Sequence, residues 1–143
     1  NIVKFNMSKI TFRTFKDGDY DMVSEWWRWW WKGEIPVKRI LLPQDNRCFV
    51  IESSGTPVAA SFLYVDRFIG YITWTVSNPN YRELDRRQML ELLITNIEKE
   101  ADETWGVKFL FTVCGNKHME KIHRKLNWYV EDSSPAYECF KYL

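Results

Sequence analysis

Cysteine is scarce in this chain, and its placement excludes a cross-linked scaffold. The three cysteines, Cys48, Cys114 and Cys139, are odd in number and widely spaced. They suit neither a disulfide framework nor a zinc site. They read as free thiols in a reducing, cytoplasmic compartment. Net charge is also missing. Lysine and arginine total 20 against 19 acidic residues, for a formal charge of +1, so no global field favours nucleic acid or an anionic membrane. No apolar run approaches the roughly 20 residues that span a bilayer, and Asn1 to Asn6 holds no apolar signal core. That stretch reads as a tail or cloning remnant, with the domain expected over 7–143. Internal repeats, low-complexity tracts, a Ser-His-Asp elbow, a Walker loop and a metal-ligand cluster are all lacking.

A single α/β domain fits the length. Hydrophobic residues make up 45% and aromatics 17%, enough for a core with aromatics left over. Ile10 to Phe15 alternates with period two and reads as a strand. Lys16 to Asp19 is a turn, and Asp19 or Asp21 is placed to cap a helix carrying Met22, Val23 and five tryptophans, with Gly33 as its stop. Residues 35–43 form a connector. Cys48 to Glu52 and Pro57 to Val65 read as a hairpin about Ser53-Ser54-Gly55-Thr56. After a link over Asp66 to Gly70, Tyr71 to Val76 is a further strand. Arg86 to Ala101 has helical period, with Met89, Leu90, Leu93, Ile94 and Ile97 on one face. Val107 to Val113 is nearly continuous in apolar residues and reads as a strand buried on both faces. Lys117 to Leu126 is a short helix, and Trp128 to Glu131 with Tyr137 to Leu143 reads as a final hairpin.

Two segments stand out. Val76-x-x-Pro79-x-Tyr81-Arg82 runs into Glu83-Leu84-Asp85-Arg86-Arg87 at a helix start, where backbone N–H groups can receive phosphate. Phe109 to Val113 is followed by Asn116 and then Ile122-His123-Arg124-Lys125-Leu126-Asn127-Trp128. In this order they resemble the GCN5-related N-acetyltransferase (GNAT) superfamily, as a divergent member, and the resemblance covers Ile10 to Leu143. It implies a mixed, mostly antiparallel sheet with helices on both faces, and acetyl-CoA as cofactor. The family's loop, Arg/Gln-x-x-Gly-x-Gly/Ala, aligns with Arg82 to Arg87. Arg82 matches, while Asp85 and Arg87 replace the two small residues. In the second segment Asn116, Lys125 and Leu126 match, His123 replaces the tyrosine, Asn127 the glycine and Trp128 the phenylalanine.

The resemblance assigns cofactor contacts to Thr75, Val76, Arg82, Leu84, Asp85, Arg86, Arg87, Gln88 and Asn116. Backbone at Thr75 and Val76 would hold the pantetheine arm and the thioester carbonyl. Helix-start amides and the arginines would hold the pyrophosphate, and Asn116 would position the cofactor or its own helix. His123 is the candidate general acid for the departing thiolate; its other reading is a surface or capping histidine. Cys114 reads as core. The fourth strand lacks the family's glutamate, leaving Glu25, Glu34, Glu52 and Asp66 as bases with nothing to single one out.

Trp26-Trp27-Arg28-Trp29-Trp30-Trp31 exceeds what one helical stripe normally hides. Met22, Trp26, Trp29 and Trp30 share one face, and Trp27 and Trp31 a neighbouring one. Three readings stand: bulky core; an interface with a protein partner or second copy; and a substrate wall of Trp27, Trp31 and Trp74 for a small-molecule or peptide amine. The expected function is an acyl-CoA-dependent N-acyltransferase. The alternative is an inactive GNAT-like scaffold that binds or assembles through its tryptophan helix. Neither a membrane nor a nucleic-acid partner is expected.

Overall fold

A computed structural model describes residues 9–33, 37–131, 137 and 139–143; the tail over Asn1 to Asn6 and the candidate base Glu34 lie outside them. The chain divides into two compact units, Asn1–Val113 and Cys114–Leu143.

In the first unit, strands β1 (Ile10–Thr14), β2 (Cys48–Ser53), β3 (Thr56–Asp66), β4 (Ile69–Ser77) and β5 (Phe109–Phe111) form one sheet in that spatial order. The first four pair antiparallel, and β4 pairs parallel with β5. Helix α1 (Asp19–Trp30) follows β1, and helix α2 (Arg86–Glu103) carries the chain from β4 to β5. Period-two alternation divides the sheet. Cys48, Val50, Ala60, Phe62 and Val76 pack with Val23, Trp26 and Trp27 of α1 in one buried cluster. Phe49, Ile51 and Leu63 point to the other face, where α2 lies against β2 and β3 and buries Met89, Leu90, Leu93, Ile94, Ile97 and Ala101. The expected mixed sheet with helices on both faces is therefore present. The apolar face read for α2 is the one it buries.

The β2–β3 hairpin turns on Ser54 (φ 49°) and Gly55 (φ 82°), the pair of positive φ values that matches the twist of the flanking strands. Helix α1 ends on Lys32 at φ 58°, with the Gly33 N–H donating to the Arg28 carbonyl at 3.0 Å. That six-to-one bond caps the last turn.

Several expectations are corrected. Neither Asp19 nor Asp21 caps α1: Gly18 is the cap residue, and no side chain bonds there. The Asp19 carboxylate instead accepts the Lys16 N–H at 2.8 Å and pairs with Arg13 at 2.6 Å. Arg13 also reaches Glu52 at 2.9 Å, so this candidate base is held in an ion pair. The buried side of α1 is Val23, Trp26 and Trp27, whereas Trp29 and Trp30 are 47% and 38% exposed. Gly70 lies inside β4 rather than in a link. A Cβ there would meet Leu110 at 2.8 Å and Leu63 and Val107 at 3.2 Å, so close packing across three strands selects glycine. Strand β5 is short, and Phe109 and Phe111 are exposed, unlike the doubly buried strand that its apolar run suggests. The final hairpin is absent among the described residues: Trp128 to Glu131 and 139–143 hold no strand, and Tyr129, Phe140 and Leu143 are exposed.

The Arg13–Asp19–Glu52 group fastens β1 to α1 and β2. Burial pushes the Asp19 pKa up, but the Arg13 guanidinium and the Lys16 N–H outweigh it, and the net shift is downward. Unfolded aspartate titrates near pH 4. Its stabilisation is therefore complete above about pH 4 and is lost as pH falls through the lower folded value. Asp19→Asn should cost about 3 kcal/mol at pH 7, the low end for stranding one partner of a buried pair. Urea unfolding followed from pH 7 to pH 3 should show the deficit shrinking in acid; a constant deficit would remove the ion pair as its cause.

Candidate active site

The site in the first unit is built on β4. Pairing with β3 runs Phe62↔Thr73 and then Ala60↔Val76, so Trp74 and Thr75 oppose the single residue Ser61. This is a β-bulge, and its first residue, Trp74, takes φ 59°. Such a kink re-aims the backbone groups around it. The Ser61 and Thr75 hydroxyls bond at 2.7 Å across the bulge, satisfying one fully buried and one half-buried polar group.

On its other side β4 separates from its parallel neighbour. The two pair only over Ile69–Tyr71 and Phe109–Phe111. The last tie is the Thr112 hydroxyl donating to the Ile72 carbonyl at 2.6 Å, with Tyr71 stacked on Phe111 at 4.7 Å. Beyond that point β4 continues to Ser77 with no strand on its β5 side among the described residues. Main-chain groups on that edge need partners, and an extended ligand chain can supply them.

Helix α1 follows this stretch of β4. The Trp27 indole N–H donates to the Trp74 carbonyl at 3.2 Å, and the Trp30 indole N–H to the Ser77 carbonyl at 2.8 Å. Trp27 is fully buried, stacked at 6.0 Å on Trp31 and 5.6 Å from Phe62. It therefore cannot serve as a wall that a substrate touches. Trp31 is half-buried and lies 6.4 Å from Trp74, which is 37% exposed. The Trp74 indole donates to the Tyr64 hydroxyl at 3.0 Å, and that hydroxyl donates to the Leu41 carbonyl at 2.7 Å. Trp31, Trp74 and Tyr64 thus form one partly exposed aromatic group in which hydrogen bonds fix Trp74 and Tyr64. Of the candidate bases, Glu25 pairs with Arg28 at 2.5 Å and Asp66 ends β3 in the open.

After Ser77 a turn leads to α2. The Asn78 side chain donates to the Pro57 carbonyl at 2.9 Å and accepts the Asn80 N–H at 2.9 Å, which fixes the chain's exit from the sheet. Of the first helical amides, Arg86 donates to the Glu83 carbonyl and Met89 to that of Asp85. The Arg87 and Gln88 N–H groups have no acceptor among the described residues, as a helix start requires. The two side chains standing where the family has small residues are both held locally. Asp85 accepts the Tyr81 hydroxyl at 2.7 Å, and Arg87 lies 3.7 Å from Glu91. Leu84 is fully exposed. Arg86 Nη1 is buried without a hydrogen-bond partner among the described residues, an unmet donor beside an unmet helix start. Arg82 lies over the Trp29 ring at 5.6 Å. Thr75, Val76 and Arg82 to Gln88 therefore share one unit, as do Trp31 and Trp74.

In the second unit, Asn116 opens helix α3 (Lys117–Lys125). Its side chain accepts the Met119 N–H at 2.9 Å, so Asn116 positions its helix. Asn116→Ala should lower stability by about 1 kcal/mol, read as a shift in the urea midpoint; no shift would contradict the capping role. His123 is 3% exposed, against its reading as a surface histidine. Its Nδ1 lies 2.8 Å from the Met119 carbonyl. A carbonyl only accepts, so Nδ1 carries the proton. Trp128 meets the ring edge-on at 4.9 Å, and Nε2 is buried with no partner among the described residues. Cys114 Sγ is 3.4 Å from Nδ1. Burial, then Glu120, raises the Cys114 thiol pKa, and the nearby ring proton is committed to Met119. A Cys-His nucleophile pair needs the opposite in both respects. Asn127, in place of the glycine, ends the helix at φ 67°.

No signal in the sequence pointed to the bulge at Trp74, the two indole-to-carbonyl bonds or the unmet Arg86 donor. Each arises from contacts across the sheet.

No family model matches the chain, and no curated relative matches it either. Solved structures do. A GCN5-related N-acetyltransferase from Ralstonia eutropha superposes with TM-score 0.64 at 21% identity, covering 94% of this chain and 99% of that one. An aminoglycoside acetyltransferase from an uncultured soil sample, in complex with trehalose, gives 0.64 at 17%, covering 93% and 96%. An acetyltransferase from Clostridium acetobutylicum, described as predicted and solved with acetyl-CoA, gives 0.61 at 14%, covering 91% and 96%. At these identities the likeness establishes the fold: the chain has the GNAT fold.

Proposed function

We propose that the chain is an acyl-CoA-dependent N-acyltransferase, most simply one that moves acetyl from acetyl-CoA to an amine. One observation carries this reading. A bulged β4 leaves its parallel neighbour after Tyr71 and leads, within the same unit, into a helix start with unmet donors at Arg86, Arg87 and Gln88. An open strand edge suits the two amides of a pantetheine arm, and a positive helix end suits a pyrophosphate. Acetyl-CoA supplies an acyl group already activated as a thioester.

The chain's own groups take the remaining roles. With Asn78 N–H bonded to Val58 and Val76 paired with Ala60, the Val76 N–H faces β3, so a neighbouring β4 main-chain N–H near Val76, on the open edge, is the proposed donor to charge building on the thioester oxygen. Arg82, Arg86 and Arg87 balance the phosphates. Trp31 and Trp74 wall the acceptor side, where a protonated amine can rest on an indole face before losing its proton to solvent water and attacking as the free amine. His123 is the proposed proton donor to the departing thiolate: with Nδ1–H held by Met119, the proton it passes on is one first gained at Nε2, the ring nitrogen without a partner among the described residues. An amine acceptor of small size draws support from the aminoglycoside acetyltransferase among the similar structures. Three unbridged thiols support a cytoplasmic setting, and no described helix is long and apolar enough to cross a membrane.

A panel of amines, polyamines and peptides incubated with acetyl-CoA and the protein tests the reading through release of free thiol. Acceptor-dependent release supports it. Release that is unchanged in His123→Ala removes that residue from the chemistry.

The second reading, a scaffold without catalysis, is favoured by the local engagement of Asp85 and Arg87 where the family has small residues. It forecasts no thiol release with any acceptor.

A further inference from the structure

The interior and exposed halves of the tryptophan cluster point to separate roles. Trp27 and Trp30 bond to β4 carbonyls at Trp74 and Ser77 respectively. Passing along α1 therefore means passing along β4, from the bulge toward the phosphate turn. Trp31 and Trp74 stand at the level of the bulge. Trp29 stands at the level of the turn, packed edge-on against Trp30 at 4.7 Å. It is 47% exposed. Two cations address its ring, the Lys32 ammonium and the Arg82 guanidinium, each 5.6 Å from the centroid.

An exposed indole with two cations beside a helix start fits a ligand that joins a flat electron-poor ring to several phosphates. A cationic or purely aliphatic ligand would leave Lys32 and Arg82 unbalanced. We propose that Trp29 is the stacking seat for the purine of a 3′-phosphoadenosine diphosphate group, with Lys32 and Arg82 turning from the indole onto its phosphates. This rests on the acyl-CoA reading and deepens it: the tryptophan helix recognises the nucleotide end of the cofactor as well as walling the acceptor. It also accounts for an exposed tryptophan on a face that core packing leaves unused. Base-on-indole stacking is comparable in strength to one strong contact, and lost close phosphate contacts at a glycine-free turn are offset by it.

The test is a calorimetric titration of wild type, Trp29→Ala and Trp29→Phe with CoA, 3′,5′-adenosine bisphosphate and acetyl-pantetheine. Trp29→Ala should weaken CoA and the bisphosphate roughly 10-fold or more and leave acetyl-pantetheine unchanged. Trp29→Phe should recover most of the loss. CoA binding that is indifferent to Trp29→Ala overturns this inference while leaving the acyl-CoA reading in place. An equal loss for CoA and acetyl-pantetheine also overturns it, because the residue then supports the site as a whole rather than meeting the base. No CoA binding by wild type overturns both readings. Circular dichroism of Trp29→Ala, whose side chain is exposed, confirms that the fold is intact.

Discussion

Trp27→Ala should be the most damaging single change in the chain, costing about 3–5 kcal/mol of stability. The indole is fully buried between Phe62 and Trp31, so truncation leaves a cavity that a packed sheet and helix cannot close. It also strands the Trp74 carbonyl, which the indole N–H satisfies at 3.2 Å. Against the 5–15 kcal/mol typical of a whole domain, this is a large share. Trp27→Phe separates the two parts: it keeps most of the volume and loses the donor, for about 1 kcal/mol plus modest repacking. Urea unfolding measures both. A small loss in Trp27→Ala would mean that the tryptophan lies at a surface, which is the substrate-wall reading its burial excludes.

The second large effect concerns binding. Arg87→Glu should reduce CoA affinity at least 10-fold while barely altering the fold. Arg87 sits in the first turn of α2, beside its own unmet N–H and that of Gln88. A carboxylate there repels the anion that these groups are proposed to hold. A charge-assisted hydrogen bond contributes about 1.5–3 kcal/mol, which sets the size of the expected loss. On the fold, reversal sets a glutamate one turn from Glu91 in place of the present ion pair, a cost of only about 0.2–0.5 kcal/mol. Wild-type affinity should also fall with added salt. An Arg87→Glu protein with unchanged affinity would place the pyrophosphate elsewhere or nowhere.

How much of this was legible from the residues differs by element. The apolar period of Arg86 to Ala101 gave the buried face of α2 except for Ala101, because one helix against one sheet face obeys a single periodicity. The Ser54-Gly55 hairpin was equally plain, since its turn chemistry is local. Helix α1 was not. Five tryptophans in six positions fill more than one face, and the choice of Trp26 and Trp27 over Trp29 and Trp30 depends on the sheet and on carbonyls at Trp74 and Ser77. The role of Asn116 emerged in half: its side chain caps α3, while contact with a cofactor belongs to the proposal. Strand β5 misled because an apolar run shows affinity for a core without showing that the sheet covers both of its faces. The bulge at Trp74 has no sequence mark at all, since a tryptophan is an unusual occupant of positive φ. It is nonetheless the feature that re-aims the main chain of β4 where its edge is open.

The most direct test of the proposed activity is whether the full chain binds the cofactor. Calorimetric titration with acetyl-CoA, run beside dephospho-CoA and at two salt concentrations, measures this without knowledge of the acceptor. Micromolar one-to-one binding, weaker with dephospho-CoA and at higher salt, is the expected result. No heat at millimolar acetyl-CoA would contradict the acyltransferase assignment and leave the GNAT fold here as a scaffold without its cofactor.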